Sequence, residues 1–155
     1  MANARALANQ KLYYARVLAA AWRAELGGQN IPATVLTGAF DEPCRAHLRD
    51  AYGWFLLEIL QVEPLPASPP QNCGALPQVA AGKVLPGEVR ELAQLEQNGW
   101  VADILASGGT GLPASIRSPG NLATAAETPV GPDQIDAWID LLQDTFNRMS
   151  DSLDE

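Results

Sequence analysis

The chain has little histidine, little cysteine and no long apolar run, and each scarcity removes a class of function. One histidine, His47, cannot supply the paired Glu-x-x-His ligands of a di-iron bundle. Two cysteines, Cys44 and Cys73, are far apart in unlike settings and give a zinc site no ligand set. The same separation argues against a disulfide and for a reducing cytoplasm. The longest stretch of large apolar residues, Trp54 to Leu57, falls far short of the roughly 20 residues that span a bilayer. Near the start, Lys11 and Arg16 interrupt any apolar core that an export signal needs, so this segment reads as a mature helix.

Positive charge is also scarce. Ten Lys and Arg face eighteen Asp and Glu, for a net charge of −8, and the Lys and Arg form no cluster. Such a surface repels phosphate backbones and anionic lipid, so neither nucleic acid nor membrane is expected as a partner. What remains is abundant: 47% of the residues are hydrophobic, enough in 155 residues for one domain with a packed core.

Apolar residues recur at helical spacing and nowhere alternate as in a strand. The spacing predicts a helix over 3–26 with a core face of Leu7, Tyr14, Val17, Leu18, Ala21 and Trp22, ended by Gly27-Gly28. Gln10 falls on that side, where a buried amide needs partners, while Arg5, Arg16 and Arg23 line up with Asn9 on a solvated face. A second helix over 31–62, capped by Asn30, is expected to kink or break near Pro43. Its core stripe is Cys44, Leu48, Ala51, Tyr52, Phe55, Ile59 and Val62. Six of the twelve prolines then mark an irregular connection between Glu63 and Gly87, whose leucines imply that it drapes over the domain. A third helical stretch over 88–107 is broken near Gly99 by what reads as a left-handed stop. After a second Gly/Pro-rich loop, the last helix covers 132–152 with Pro132 and Asp133 in its first turn. Its apolar face is Ile135, Trp138, Ile139, Leu142, Phe146, Met149 and Leu153, opposite an aspartate stripe of Asp133, Asp136, Asp140, Asp144 and Asp151. The expectation is a single all-α domain, an irregular bundle of about four main helices with two long Pro/Gly-rich loops. Each main helical region carries one tryptophan as its anchor, Trp22, Trp54, Trp100 and Trp138.

Few residues carry reactive chemistry. His47 shares a flank of its helix with Asp50, Trp54 and Glu58, so an acid/base pair is geometrically open, yet no nucleophile lies nearby in sequence. Gly109 to Ala114 matches a dinucleotide fingerprint by spacing but follows no strand, and Gly82-Lys83 lacks the Ser or Thr of a phosphate loop. No cofactor and no metal are expected. The apolar content of the second helix exceeds one face: Trp54, Leu56, Leu57 and Leu60 need cover, from the Pro-rich connection or from a second copy of the chain.

The segments NQKLYYARVLAAAW and HLRDAYGWFLLEI resemble helices of a small, uncharacterised, all-helical proteobacterial family catalogued as a domain of unknown function. The resemblance implies a bacterial, cytoplasmic, helical domain and brings no activity, cofactor or catalytic residue with it. The leading expectation is a non-enzymatic protein acting through protein contacts as an adaptor, regulator or assembly component. Its partner is another protein or itself, with a monomer expected ahead of a homodimer. The alternatives are a small-molecule-binding or hydrolytic enzyme using His47 and Glu58, and an acidic decoy for a basic partner through the aspartate stripe of the last helix, within which Asp136 and Asp140 are the pair spaced to hold a divalent cation.

Overall fold

A computed structural model describes residues 3–76, 86–106 and 130–154. The described residues include five α-helices and one short 3-10 helix, with no strand among them. The protein is an all-α helical bundle. The fingerprint-like stretch at 109–114 and Gly82-Lys83 lie outside the described residues.

Helix α1 (Ala4–Gly28) starts where the Asn3 side chain accepts the Ala6 amide at 2.7 Å, satisfying one of the first-turn donors. It runs through Gly27-Gly28 instead of stopping there. The left-handed residue that ends it is Gln29, with φ 55°. Its buried side is only partly the expected one: Trp22 is buried and Leu7 and Leu18 pack against the core, as the spacing predicts. Ala4, Ala8, Leu12, Ala15, Ala19 and Trp22 are buried, while Tyr13, Tyr14, Val17, Ala21 and Gln10 are exposed. Side-chain size misleads here: a row of alanines lets one helix sit close against another, and α1 makes the most extensive helix contact of the fold, with α2.

Helix α2 (Ala33–Leu60) begins after Pro32 with no side-chain cap, so Asn30 does not serve as the N-cap. It is continuous through Pro43, so of the expected kink or break the break does not occur. A proline inside a helix loses one hydrogen bond and crowds the preceding turn, at about 3 kcal/mol. Burial on both sides of it offsets that cost. Leu36 is buried and Phe40 stacks on Trp22 at 5.9 Å before Pro43, while Cys44, Arg45 and Leu48 are buried after it. From Ala51 to Leu57 every residue of α2 is buried. This is the central helix of the bundle. Gln61, with φ 52°, ends it in the left-handed region, and the Val62 amide donates to Leu57 at 3.1 Å.

The Pro-rich connection turns back onto α2. A Cβ on Gly53 would lie 2.2 Å from the Pro70 carbonyl oxygen and 2.8 Å from the Pro69 Cβ, so glycine is required where the two chain segments cross. Leu65, Cys73 and Leu76 pack against the core, and a 3-10 turn at Cys73–Ala75 is capped by Asn72. Helices α3 (Gly87–Asn98) and α4 (Trp100–Leu105) meet at Gly99, which is extended and not left-handed. Space explains this glycine: a Cβ would come within 2.6 Å of the Leu95 side chain.

Helix α5 (Pro132–Leu153) buries Ile135, Trp138, Ile139, Leu142, Phe146 and Met149, and Phe146 stacks on Phe55 of α2 at 4.0 Å. The arginine row of α1 and the aspartate stripe of α5 do not simply face water. The Arg23 guanidinium donates to Asp133 at 2.7 Å and Asp136 at 2.6 Å, and Arg16 lies 3.8 Å from Asp140. The two rows are facing edges of one helix pair. Arg5 likewise reaches Glu58 at 3.3 Å and Asp154 at 3.8 Å.

Candidate functional site

Trp54, Leu56 and Leu57 lie inside the chain, and Leu60 is half-buried at the edge of the core. The described part of the Pro-rich connection closes over this side of α2: Pro69 and Pro70 cross at Gly53, with Leu65, Cys73 and Leu76 packed on the core. Trp54, Leu56 and Leu57 therefore present no open docking surface, and Leu60 presents only part of its side chain. The connection is held by a hydrogen-bonded knot. Glu96 of α3 accepts from the Tyr52 hydroxyl at 2.9 Å and from the Cys73 amide at 2.8 Å, and the Tyr52 oxygen lies 3.6 Å from the Cys73 sulfur. Burial pushes the Tyr52 hydroxyl well above its ordinary pKa and the Cys73 thiol up to about 11. Both stay protonated at neutral pH and serve as parts of the clamp. Cys44, buried and unpaired, is pushed up to about 11 by the same cause.

His47 is half-buried, with its ring edge-on to Tyr14 at 5.4 Å. Burial and Lys11 lower its pKa, and Asp50 opposes them. The carboxylates beside it are engaged elsewhere, Asp50 with Lys11 at 3.6 Å and Glu58 with Arg5. Of the aspartate stripe, Asp136 and Asp140, the pair spaced for a divalent cation, face Arg23 and Arg16. Among the described residues no cluster of three or more His, Cys, Asp or Glu is placed to hold a metal ion.

Among the described residues His47 lines neither of two cavities, although the second is walled by its neighbours Ala46 and Asp50. One, of about 380 Å³, opens between α1 and α5 above the Phe55–Phe146 stack and is rimmed by Arg5, Asn9, Ser150 and Asp154. The other, of about 440 Å³, lies under Pro69 and Pro70 beside Arg49 and Leu105.

Arg45 is a buried feature that the periodicity does not reveal. Its guanidinium donates to Asp41 at 2.8 Å and to the α4 carbonyls of Asp103 at 2.6 Å and Ala106 at 3.2 Å, and it lies 4.9 Å over the Trp138 ring. It closes the C-terminal end of α4 and ties α2, α4 and α5 together. The Asp41-x3-Arg45 spacing was the available signal.

The surface that stands out is the outward side of α1. Ala6, Gln10, Tyr13, Val17, Ala20 and Ala24 follow one another at alternating steps of four and three, and all six are exposed. Tyr13 is 63% exposed and Val17 48%, yet none of the six carries a charge. Tyr14 and Ala21 widen the strip on one side. On the other, Arg16 and Arg23 turn toward α5. A step of four and three is the heptad spacing by which one helix seats against another. No family model, curated protein or solved structure matches the chain. Function is therefore read from side chains and their geometry.

Proposed function

We propose that this is a non-enzymatic helical protein of the bacterial cytoplasm that works through protein contacts, with the outward strip of α1 as its contact surface. The observation that carries this reading is the uncharged, heptad-spaced row from Ala6 to Ala24, exposed on a helix whose opposite side is fully packed. A strip meant only for water gains from charge at these positions; a strip meant for a helix gains from small and apolar residues. Among the described residues no helix is long and apolar enough to cross a membrane.

The test is the Tyr13→Lys, Val17→Lys double variant in the native host, paired with Asp144→Lys as a control on the exposed side of α5. Both variants should keep the parent's helical circular dichroism and melting temperature. The double variant should lose the cellular phenotype of the intact protein, and the control should keep it. A double variant that is folded and fully functional removes this surface from consideration.

A further inference from the structure

We infer that the cavity beneath Pro69 and Pro70 binds a free α-amino acid with an apolar side chain, its carboxylate on Arg49 and its ammonium on Asp50. This goes beyond the contact-surface reading and does not rest on it. The observation that points to a ligand is a guanidinium with incomplete partners. Arg49 is mostly buried, with 22% of its side chain exposed, and its Nη2 donates to Glu42. Its Nη1 is buried and, among the described residues, has no acceptor. A buried donor without a partner is costly, and a charged one more so, because it gives up water and receives nothing in return. Arg49 lines the cavity, whereas Glu42 does not. A carboxylate entering there completes the fork that Glu42 only half fills.

The rest of the wall selects what carries that carboxylate. Asp50 also lines the cavity, and Lys11, outside the wall, approaches it at 3.6 Å. A carboxylate has several acceptor positions, and 42% of the Asp50 side chain is exposed, so it can take a further donor. With Arg49 and Asp50 together the wall is neutral, in a protein of net charge −8. A simple anion gains from Arg49 but meets Asp50, and a simple cation meets the reverse. A zwitterion matches both. Ala46, Leu105 and the two prolines supply the apolar part of the wall, and the volume of about 440 Å³ lies within the range of small-molecule sites. The wall is also set in advance: the chain crosses α2 at Gly53 with no room for a Cβ, and Glu96 accepts the Cys73 amide at 2.8 Å. The cavity between α1 and α5 lacks this balance, since Asp151 and Asp154 outnumber Arg5.

The experiment is an NMR titration of the full chain with L-leucine and, separately, L-phenylalanine, up to about 20 mM. It is read at the Arg49 Nε–H and at the backbone amides of Ala46 and Leu105. N-acetyl-L-leucine, which lacks the ammonium, and L-leucinamide, which lacks the carboxylate, are the comparison ligands. The expected result is a saturable shift of these signals by the free amino acids, with both comparison ligands at least about tenfold weaker. Arg49→Gln and Asp50→Asn should weaken leucine binding by a similar factor while keeping a dispersed spectrum. Arg49→Lys keeps the charge without the fork and should fall between Arg49→Gln and the parent; it carries the test if Arg49→Gln does not fold. No saturable shift with either amino acid overturns the site. Equal binding of leucine and its two derivatives overturns the zwitterion, leaving apolar contact alone. Folded Arg49 variants that bind leucine as the parent does overturn the role of Arg49, and with it the inference.

Discussion

Helices α1 and α5 both pack on α2 and face each other across an arginine–aspartate seam, yet they distribute their large residues in opposite ways. α5 points Ile135, Trp138, Ile139, Leu142, Phe146 and Met149 inward and aspartates outward. α1 points mainly alanines inward and leaves Tyr13, Tyr14 and Val17 outside. In α5 stability comes from filling volume; in α1 it comes from proximity, since small side chains bring two backbones together. With four alanines on the core side beside Leu12 and Trp22, α1 leaves its two tyrosines and Val17 on the outside.

The largest effect is expected on α5, where filled volume holds the helix in place. Phe146→Ala removes a ring stacked on Phe55 and should cost about 3–5 kcal/mol of unfolding free energy. Denaturant titration measures it, and a loss below about 1 kcal/mol would mean that α5 is not anchored by volume. The matching test on α1 runs the other way, by adding bulk. Ala15→Leu, at a position with no exposure, should overpack the α1–α2 contact and cost about 1–3 kcal/mol. Ala21→Leu, on the exposed side, should stay within about 0.5 kcal/mol. Equal losses at the two positions would show that the alanine row is not the packed face.

The seam between the two helices gives a smaller effect with its own signature. Hydrogen bonds to Asp133 and Asp136 raise the Arg23 pKa, so Asp136→Asn should lower stability at low salt and do less at high salt. Asp144→Asn, exposed on the same helix, should show no salt-dependent loss. Identical salt responses would mean that Arg23 does not select its partners. Smallest is the effect of His47, which α2 holds against Tyr14 of α1. Its folded pKa lies below the ordinary 6.5, because burial and Lys11 disfavour the charged ring. The neutral form is thus the one the fold prefers. The contribution is present above pH 6.5 and is lost as pH falls through the lower folded value. His47→Gln should flatten this part of the stability–pH curve, as thermal melts in matched buffers would register. An unchanged pH slope in that variant would assign the slope to another group.

The helices themselves were legible to within a few residues at most ends, because the apolar period of α5 and of the second half of α2 is carried by large residues. The stripe from Cys44 to Ile59 is buried as its spacing implies. Three features were not legible. Pro43 reads locally as a kink or a break, and a lone residue does not disclose that the helix will run on because Phe40 stacks on Trp22 and Leu48 is buried beyond it. Gly99 reads as a left-handed stop, although its reason is the closeness of Leu95. Arg5, Arg16 and Arg23 read as a solvated row, because a charge pattern on one helix does not say which helix it will face. The candidate surface was missed for a related reason: ranking faces by side-chain size put Tyr14 and Val17 inside.

Composition, spacing and punctuation determined that this chain would be helical, where the helices would lie, and that α2 would carry more apolar surface than one face can use. These are local properties, set by period and by the conformational limits of Gly and Pro. Tertiary structure decided which side of α1 is inside, which carboxylate each arginine takes, and what covers Trp54, Leu56 and Leu57. Those outcomes depend on how closely two backbones can approach, and that distance is a property of the pair of helices, written in neither one alone.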